Sequence, residues 1–121
     1  MRYRFLNLNP LGNVEEDCVT RAISLALEED YSKISHKLYL IADLYDCQRL
    51  CVCCYKFLLD NIYQLQRIEE VQGMTVNEFC QKHPKGTFLI RLNGHLTCVI
   101  DNVLYDLWNC DSEKIDIVWQ V

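Results

Sequence analysis

The chain has 121 residues, of which 50% are hydrophobic and 24% are charged, and its net charge is −5. This length suits a single domain over 1–121 with one core, and the acidic balance argues against nucleic-acid binding by phosphate neutralisation. No apolar run approaches the roughly 18 residues of a membrane span. The N-terminal apolar part is too short and broken for a signal peptide, so we expect a cytoplasmic protein with no membrane partner.

Eight cysteines are many for this length. In a secreted chain they would predict four disulfides, but in a cytoplasmic protein we expect them to stay reduced and to pack as small hydrophobes. The stretch CQRLCVCC at 47–54 also suggests a metal site, yet no second cysteine pair at zinc spacing follows it. Core packing is therefore the favoured interpretation, and we predict no metal and no cofactor.

The first half of the chain has helical periodicity. Residues 1–12 predict a short extended arm. Apolar residues recur at the spacing of one helical face over 18–28, and Asp17 stands where a capping side chain is expected. Further helices are predicted over 31–45, with a buried stripe that ends at Tyr45, and over 48–60. The inward residues predicted for the helix over 48–60 are Leu50, Cys54, Phe57 and Leu58.

The second half predicts strands after one more short helix. A short strand is expected within 64–71, and Thr75 and Glu78 have the spacing of a capping box that opens a helix. The runs 86–92, 95–100, 103–108 and 114–120 are short, apolar and rich in β-branched and aromatic residues. Asp101–Asn102 falls at a two-residue hairpin position. The predicted fold is therefore α+β, with N-terminal helices packed on a C-terminal antiparallel meander.

Cys18 stands at the predicted start of the first helix, where the helix dipole favours a thiolate. A cysteine nucleophile also needs a nearby base and a third group that orients the base. His36 falls within a helix and His83 in a loop, whereas His95 begins a strand beside an Asn-Gly turn. We therefore predict His95 as the base. From spacing alone, an inert buried cysteine beside a structural histidine–aspartate hydrogen bond stays open as an alternative.

The register of the predicted hairpin selects the orienting group. With Asp101–Asn102 as a two-residue turn, His95 and Asp106 share one face of the sheet as diagonal neighbours. Asp106 is therefore the predicted group that holds the imidazole in the required tautomer. A three-residue turn would reverse the parity and favour Tyr105 or Asn109.

Acyl transfer also requires hydrogen-bond donors for the oxyanion that forms on the attacked carbonyl. The backbone N–H of Cys18 is one predicted donor. The side chain of Asn13, five residues upstream, is the predicted second donor, and Asn9 is the fallback.

Three stretches resemble parts of a group of small phage and bacterial proteins with a papain-like fold. They are NPLGNVEEDCVTRAISLAL at 9–27, TVNEFCQKHPKGTFLIRLNGHLTCVID at 75–101 and NVLYDLWNC at 102–110. The order of cysteine helix, histidine strand and aspartate strand is also that of papain-like cysteine peptidases. The middle of the chain, about 31–72, carries no such motif.

The resemblance implies a papain-like fold with Cys18 as nucleophile, His95 as general base and Asp106 as orienting group. It implies a phage- or bacterium-encoded thiol protease, or an amide or isopeptide hydrolase, with a protein or peptide substrate in the cytoplasm of a bacterium or infected host cell. Such enzymes place a glutamine shortly before the nucleophile, and this chain has none there, so Asn13 would have to replace it. The alternative is an inactive papain-like protein that binds and inhibits a host enzyme or defence complex.

Overall fold

The computed structural model describes residues 1–13, 16–48 and 51–121. In these ranges the chain forms four α-helices, one π-helix and six strands. The helices are α1 (Cys18–Leu27), α2 (Tyr31–Leu44), α3 (Val52–Phe57) and α4 (Val76–Lys82), and the π-helix Leu58–Ile62 continues α3 directly. The strands are β1 (Arg2–Phe5), β2 (Gln66–Ile68), β3 (Thr87–Leu92), β4 (His95–Ile100), β5 (Val103–Asp106) and β6 (Ile117–Gln120).

The six strands form one sheet in the order β1-β5-β4-β3-β6-β2. Strands β3, β4 and β5 form an antiparallel meander, as predicted. The prediction of a purely antiparallel meander is nevertheless wrong in two respects. β1 pairs parallel with β5 and occupies its outer edge, and β6 pairs with β3 and β2 instead of following β5 in the meander. The α+β class is confirmed, and the sheet is mixed.

Helix α1 begins at the predicted residue and ends within one residue of the prediction. Asp17 occupies the N-cap position, but its side chain makes no capping hydrogen bond. Instead its carboxylate accepts from Arg21 Nε at 2.6 Å and from the Tyr31 hydroxyl at 2.7 Å. A charged donor forms a stronger hydrogen bond to a carboxylate than a backbone amide does. The predicted cap is therefore wrong, and Asp17 belongs to a buried ion pair.

Helices α2 and α3 differ from the prediction at their junction. Tyr45, predicted on the buried stripe of α2, follows the helix and is 54% exposed. Its ring packs against that of Phe57, with centroids 5.0 Å apart. Helix α3 begins at Val52 rather than at 48, because Cys51 is extended, with φ −65° and ψ 142°.

The inward positions predicted for α3 are partly confirmed. Cys54 and Leu58 are fully buried, whereas Phe57 is only partly buried. Leu50 lies outside the described residues. At the next helix, Thr75 and Glu78 form both hydrogen bonds of the predicted capping box at the start of α4.

The sheet separates two hydrophobic clusters, because side chains alternate between its faces. Leu89 and Cys98 pack with α1, α2, α3 and the π-helix on one face. Phe88 and Val99 pack with α4 on the opposite face. The helices therefore cover both faces of the sheet, with those of the N-terminal half on one side. No helix of the described residues combines the length and apolar character that a membrane crossing requires.

The eight cysteines lie in different environments. Four are buried, as core packing predicts, namely Cys54, Cys80, Cys98 and Cys110. Three are partly buried, namely Cys18, Cys47 and Cys51. Cys53 is exposed, so the core-packing prediction is wrong for this residue.

Candidate active site

Three elements meet at one end of the sheet. β4 begins there at His95, β5 ends there at Asp106, and α1 begins there at Cys18. The turn before β4 holds Gly94 at φ +70°, a conformation that strains other residues. The ends of two strands and a helix therefore hold the three side chains that the sequence singled out.

The imidazole of His95 lies against the carboxylate of Asp106, with Nε2 and Oδ2 2.6 Å apart. The turn Asp101–Asn102 has two residues, both with positive φ (46° and 66°). Ile100 and Val103 are opposed across it. This register puts His95 and Asp106 on the same face of the sheet, as predicted. The alternatives Tyr105 and Asn109 would have required a longer turn.

Asp106 is held ionised although it is only 4% exposed. Burial disfavours its charge, but the hydrogen bond to His95 and the nearby imidazolium outweigh that effect and lower the pKa of Asp106. Its Oδ1 accepts the backbone N–H of Leu107 at 2.7 Å and lies 3.4 Å from Nη1 of Arg21. Both carboxylate oxygens therefore have donors, which keeps the side chain in one orientation.

The thiol of Cys18 lies beside the imidazole of His95. Burial disfavours the thiolate, but a hydrogen bond to His95, the backbone of Leu96 and the charges of His95 and Arg21 outweigh that effect and lower the pKa of Cys18. The start of α1 adds to this, because a helix N-terminus favours a negative charge.

The pKa of His95 is shifted in the opposite direction from that of Cys18. Burial disfavours the imidazolium, yet its hydrogen bonds to Asp106, Cys110 and Cys18 prevail and raise the pKa of His95 to about 11. With the pKa of Cys18 lowered, the two groups can exist as a thiolate and an imidazolium. This is the pairing that activates a cysteine nucleophile.

A cleft of about 520 Å³ opens over this pair. Cys18 and His95 line it together with Tyr55 and Trp108. Trp108 is 45% exposed, and its ring centroid lies 5.3 Å from that of His95. Arg91 also lines the cleft, but its guanidinium is bound by the Tyr55 hydroxyl and by Asp116. The cleft is large enough for a peptide segment or a small molecule.

The predicted side-chain donor of the oxyanion hole is not brought to the site. Asn13 is exposed, its carbonyl accepts from Asn7 Nδ2 at 2.9 Å, and it is absent from the described lining of the cleft. The fallback, Asn9, is buried and donates through Nδ2 to Asp17 at 3.1 Å. Asn9 therefore supports the start of α1, and the backbone N–H of Cys18 is the donor that still fits the prediction.

The structure adds Arg21 to the residues that the sequence singled out. Its side chain is only 8% exposed and lies between the carboxylates of Asp17 and Asp106. The spacing of Asp17 and Arg21, four residues apart on a helix, is the usual signal of such a pair and could have been used. The contact with Asp106 joins residues 85 positions apart, and no local pattern predicts it.

One group of potential metal ligands lies at the site. The donor atoms of His95, Asp106 and Cys110 are all within 4.8 Å of one another. Nitrogen, oxygen and sulfur donors together suit Zn²⁺. However, the 2.6 Å contact joins Nε2 of His95 directly to Asp106. As described, the group is therefore a hydrogen-bonded histidine–aspartate pair with a thiol beside it.

Comparison of the chain with models of protein families, with curated proteins and with solved structures found no match. Any function must therefore be argued from the residues of the site.

Proposed function

We propose that this chain is a papain-like cysteine hydrolase of peptide, isopeptide or other amide bonds, encoded by a phage or bacterium. Cys18 is the nucleophile, His95 the general base and acid, and Asp106 the orienting group. The strongest support is the position of His95, whose imidazole lies 2.6 Å from the buried Asp106 and is close enough to the Cys18 thiol for each group to shift the pKa of the other. A strand-borne histidine held by a buried carboxylate beside a thiol is the arrangement that nucleophilic cysteine catalysis needs.

The proposed reaction has two stages. The Cys18 thiolate attacks the substrate carbonyl, and the oxyanion that forms accepts the backbone N–H of Cys18. His95 donates its proton to the leaving amine, which departs and leaves a thioester on Cys18. A water molecule then attacks the thioester while neutral His95 takes its proton. The carboxylic acid leaves, and the thiolate–imidazolium pair is restored.

Asp106 and the charge network behind it have a supporting part in this scheme. Asp106 stabilises the imidazolium of His95 and fixes which nitrogen faces the thiol. Because Nε2 contacts Asp106, Nδ1 is the nitrogen left to exchange a proton with Cys18. Arg21 contacts Asp106 from behind and lowers the pKa of Cys18, which makes it a positioning residue.

Alkylation of Cys18 by iodoacetamide at pH 7 tests this assignment without a known substrate. Peptide mass spectrometry measures the rate for each cysteine separately. Cys18 should react faster than the buried thiols, and His95→Ala should slow Cys18 at least about tenfold, because only the thiolate reacts. His36→Ala is the matched control, since His36 is an exposed histidine on α2 and its loss should leave the rate unchanged.

The outcome that would refute the assignment is a Cys18 rate that His95→Ala leaves unaltered. A Cys18→Ala protein that kept full activity once a substrate is found would refute it as well.

The position of Asn13 favours a second candidate function. Without a side-chain donor beside Cys18, the described oxyanion hole has one predicted donor, and loss of a single such donor costs an enzyme about 10²–10³ in turnover. The same fold could then serve as a non-catalytic protein that binds and inhibits a host enzyme or defence complex. An unreactive Cys18 in the labelling experiment would favour this candidate.

A further inference from the structure

A second cluster of thiols lies outside the site, where α2 is followed by α3. Cys51 immediately precedes α3 and Cys53 lies in its first turn. The thiol of Cys53 donates to Sγ of Cys51, and the two sulfurs are 2.9 Å apart. Cys53 is exposed and Cys51 partly buried, so a small reagent can reach the pair.

The separation of the two sulfurs favours disulfide formation over metal binding. Two thiolates on one tetrahedral Zn²⁺, each about 2.3 Å from the metal, stand roughly 3.8 Å apart. The sulfurs of a disulfide are about 2.0 Å apart. From 2.9 Å, the sulfurs would therefore approach by about 0.9 Å to bond. Among the described residues, the one close group of potential metal ligands lies at the candidate active site and includes neither cysteine.

We propose that Cys51 and Cys53 are a redox-active dithiol that hydroperoxides oxidise to an intramolecular disulfide. The Cys51 thiolate attacks one peroxide oxygen, the O–O bond breaks, and with H₂O₂ one water leaves as Cys51 becomes a sulfenic acid. The Cys53 sulfur then attacks that of Cys51, the S–O bond breaks, and a second water leaves. Two thiols lose two electrons and two protons in total, and the peroxide is reduced to two waters.

The surroundings of the two thiols indicate which one reacts with the peroxide and which one resolves the sulfenic acid. The hydrogen bond from Cys53 and the backbone N–H groups of Cys53 and Cys54 lower the pKa of Cys51, whereas hydrogen bonds to Cys51 and, second, to Cys47 raise the pKa of Cys53 to about 12. Cys51 is thus the thiol that reacts with peroxide and Cys53 the one that resolves the sulfenic acid. Cys54 is turned away, because it is buried and donates to the carbonyl of Leu38 at 3.3 Å.

The dithiol also adjoins the cleft of the candidate active site. Val52, the residue between the two cysteines, lines that cleft. A disulfide between the two residues that flank Val52 would therefore change the shape of the cleft wall at Val52. The oxidation chemistry itself involves neither Cys18 nor His95, so it stands whether or not the proposed hydrolase activity is correct.

Peroxide treatment of the full-length reduced protein tests the proposal. After a short exposure to about one equivalent of H₂O₂, remaining thiols are alkylated and the protein is digested with trypsin. Cleavage after Arg49 and Lys56 releases LCVCCYK, residues 50–56, while Cys47 lies in 38–49 and Cys18 in 5–21. We expect 50–56 to lose two hydrogens and to carry one alkyl group, located on Cys54 by fragmentation.

Two variants complete the test. In Cys53→Ser the two-hydrogen loss should vanish, and dimedone should trap a sulfenic acid on Cys51. In Cys47→Ser, the matched control, the disulfide should form as in the wild type.

Three results would overturn the proposal. They are a peptide 50–56 that remains fully alkylated, a disulfide that joins it to 38–49, and a two-hydrogen loss that persists in Cys53→Ser. Peptide 5–21 reports Cys18 in the same digest, so a failed disulfide and an unreactive Cys18 are distinguished.

Discussion

Replacing Arg21 by methionine should cost the protein about 3 kcal/mol of its free energy of unfolding. The Arg21 side chain is 8% exposed, and its guanidinium lies 2.6 Å from Asp17 and 3.4 Å from Asp106. Both aspartate side chains are even more buried, at 5% exposed for Asp17 and 3% for Asp106. Methionine keeps much of the aliphatic packing but removes the charge, so two buried carboxylates lose a counter-charge.

The magnitude follows from what remains around each carboxylate. Removal of one partner of a buried ion pair costs about 3–5 kcal/mol. Asp17 keeps the Tyr31 hydroxyl and the Asn9 amide, and Asp106 keeps His95, which places the cost near the lower limit. For a chain of 121 residues this corresponds to a fall in Tm of roughly 10–15 °C.

Urea unfolding at pH 7, followed by circular dichroism, measures the loss. Arg4→Met is the matched control, because Arg4 is exposed on the edge strand β1, and its cost should stay within about 0.5 kcal/mol. The double variant with Asp17→Asn should recover at least about 1 kcal/mol, since one uncompensated charge is then removed. An Arg21→Met cost below about 1 kcal/mol, or no recovery in the double variant, would refute the buried-network argument.

Three further predictions concern protonation, capping and a buried indole. The pKa of Cys18 is lowered and that of His95 is about 11. The alkylation rate of Cys18 should therefore stay high as the pH falls from 9 and should drop only below the lowered pKa of Cys18. An alkylation rate that rises steadily up to pH 9 would contradict this. Thr75→Ala should lower the free energy of unfolding by about 1 kcal/mol in the same urea assay, because it removes the cap of α4, and an unchanged midpoint would count against the capping box. Asp60→Ala should lower the free energy of unfolding by about 1–3 kcal/mol and perturb the fluorescence of the fully buried Trp119. The reason is that the indole N–H of Trp119 loses its acceptor at 2.8 Å. An unaltered spectrum and stability would contradict this prediction.

The predictions that are correct concern residues that lie close together in the sequence. The capping box of α4 joins Thr75 to Glu78, and α1 follows from an apolar stripe that repeats every three or four residues. The relation between His95 and Asp106 spans eleven positions, yet it too is local, because a two-residue turn determines which side chains share a face. For this reason the pairing of His95 with Asp106 could be anticipated at the level of single residues.

The incorrect predictions have different physical causes. At Asp17 the capping rule was outweighed by Arg21 and Tyr31. Tyr45 kept the helical spacing of its stripe, but α2 ends one residue before it. Asn13 is only five residues from Cys18 along the chain, but the fold leaves it exposed and outside the described lining of the cleft. A position close to Cys18 in sequence did not ensure a position close to it in space.

By itself, the amino-acid sequence determined the main helices, the hairpin and the side chains that share its face, because these depend on hydrogen bonds and side-chain spacing within a few residues. Only the tertiary structure decided that β1 and β6 lie on opposite sides of the β5-β4-β3 meander. It alone also decided that Arg21 reaches Asp106 and that Cys18 lies beside His95. These contacts join residues far apart in sequence, and the packing of α1 against β4 and β5 selects them from many partners of similar local compatibility.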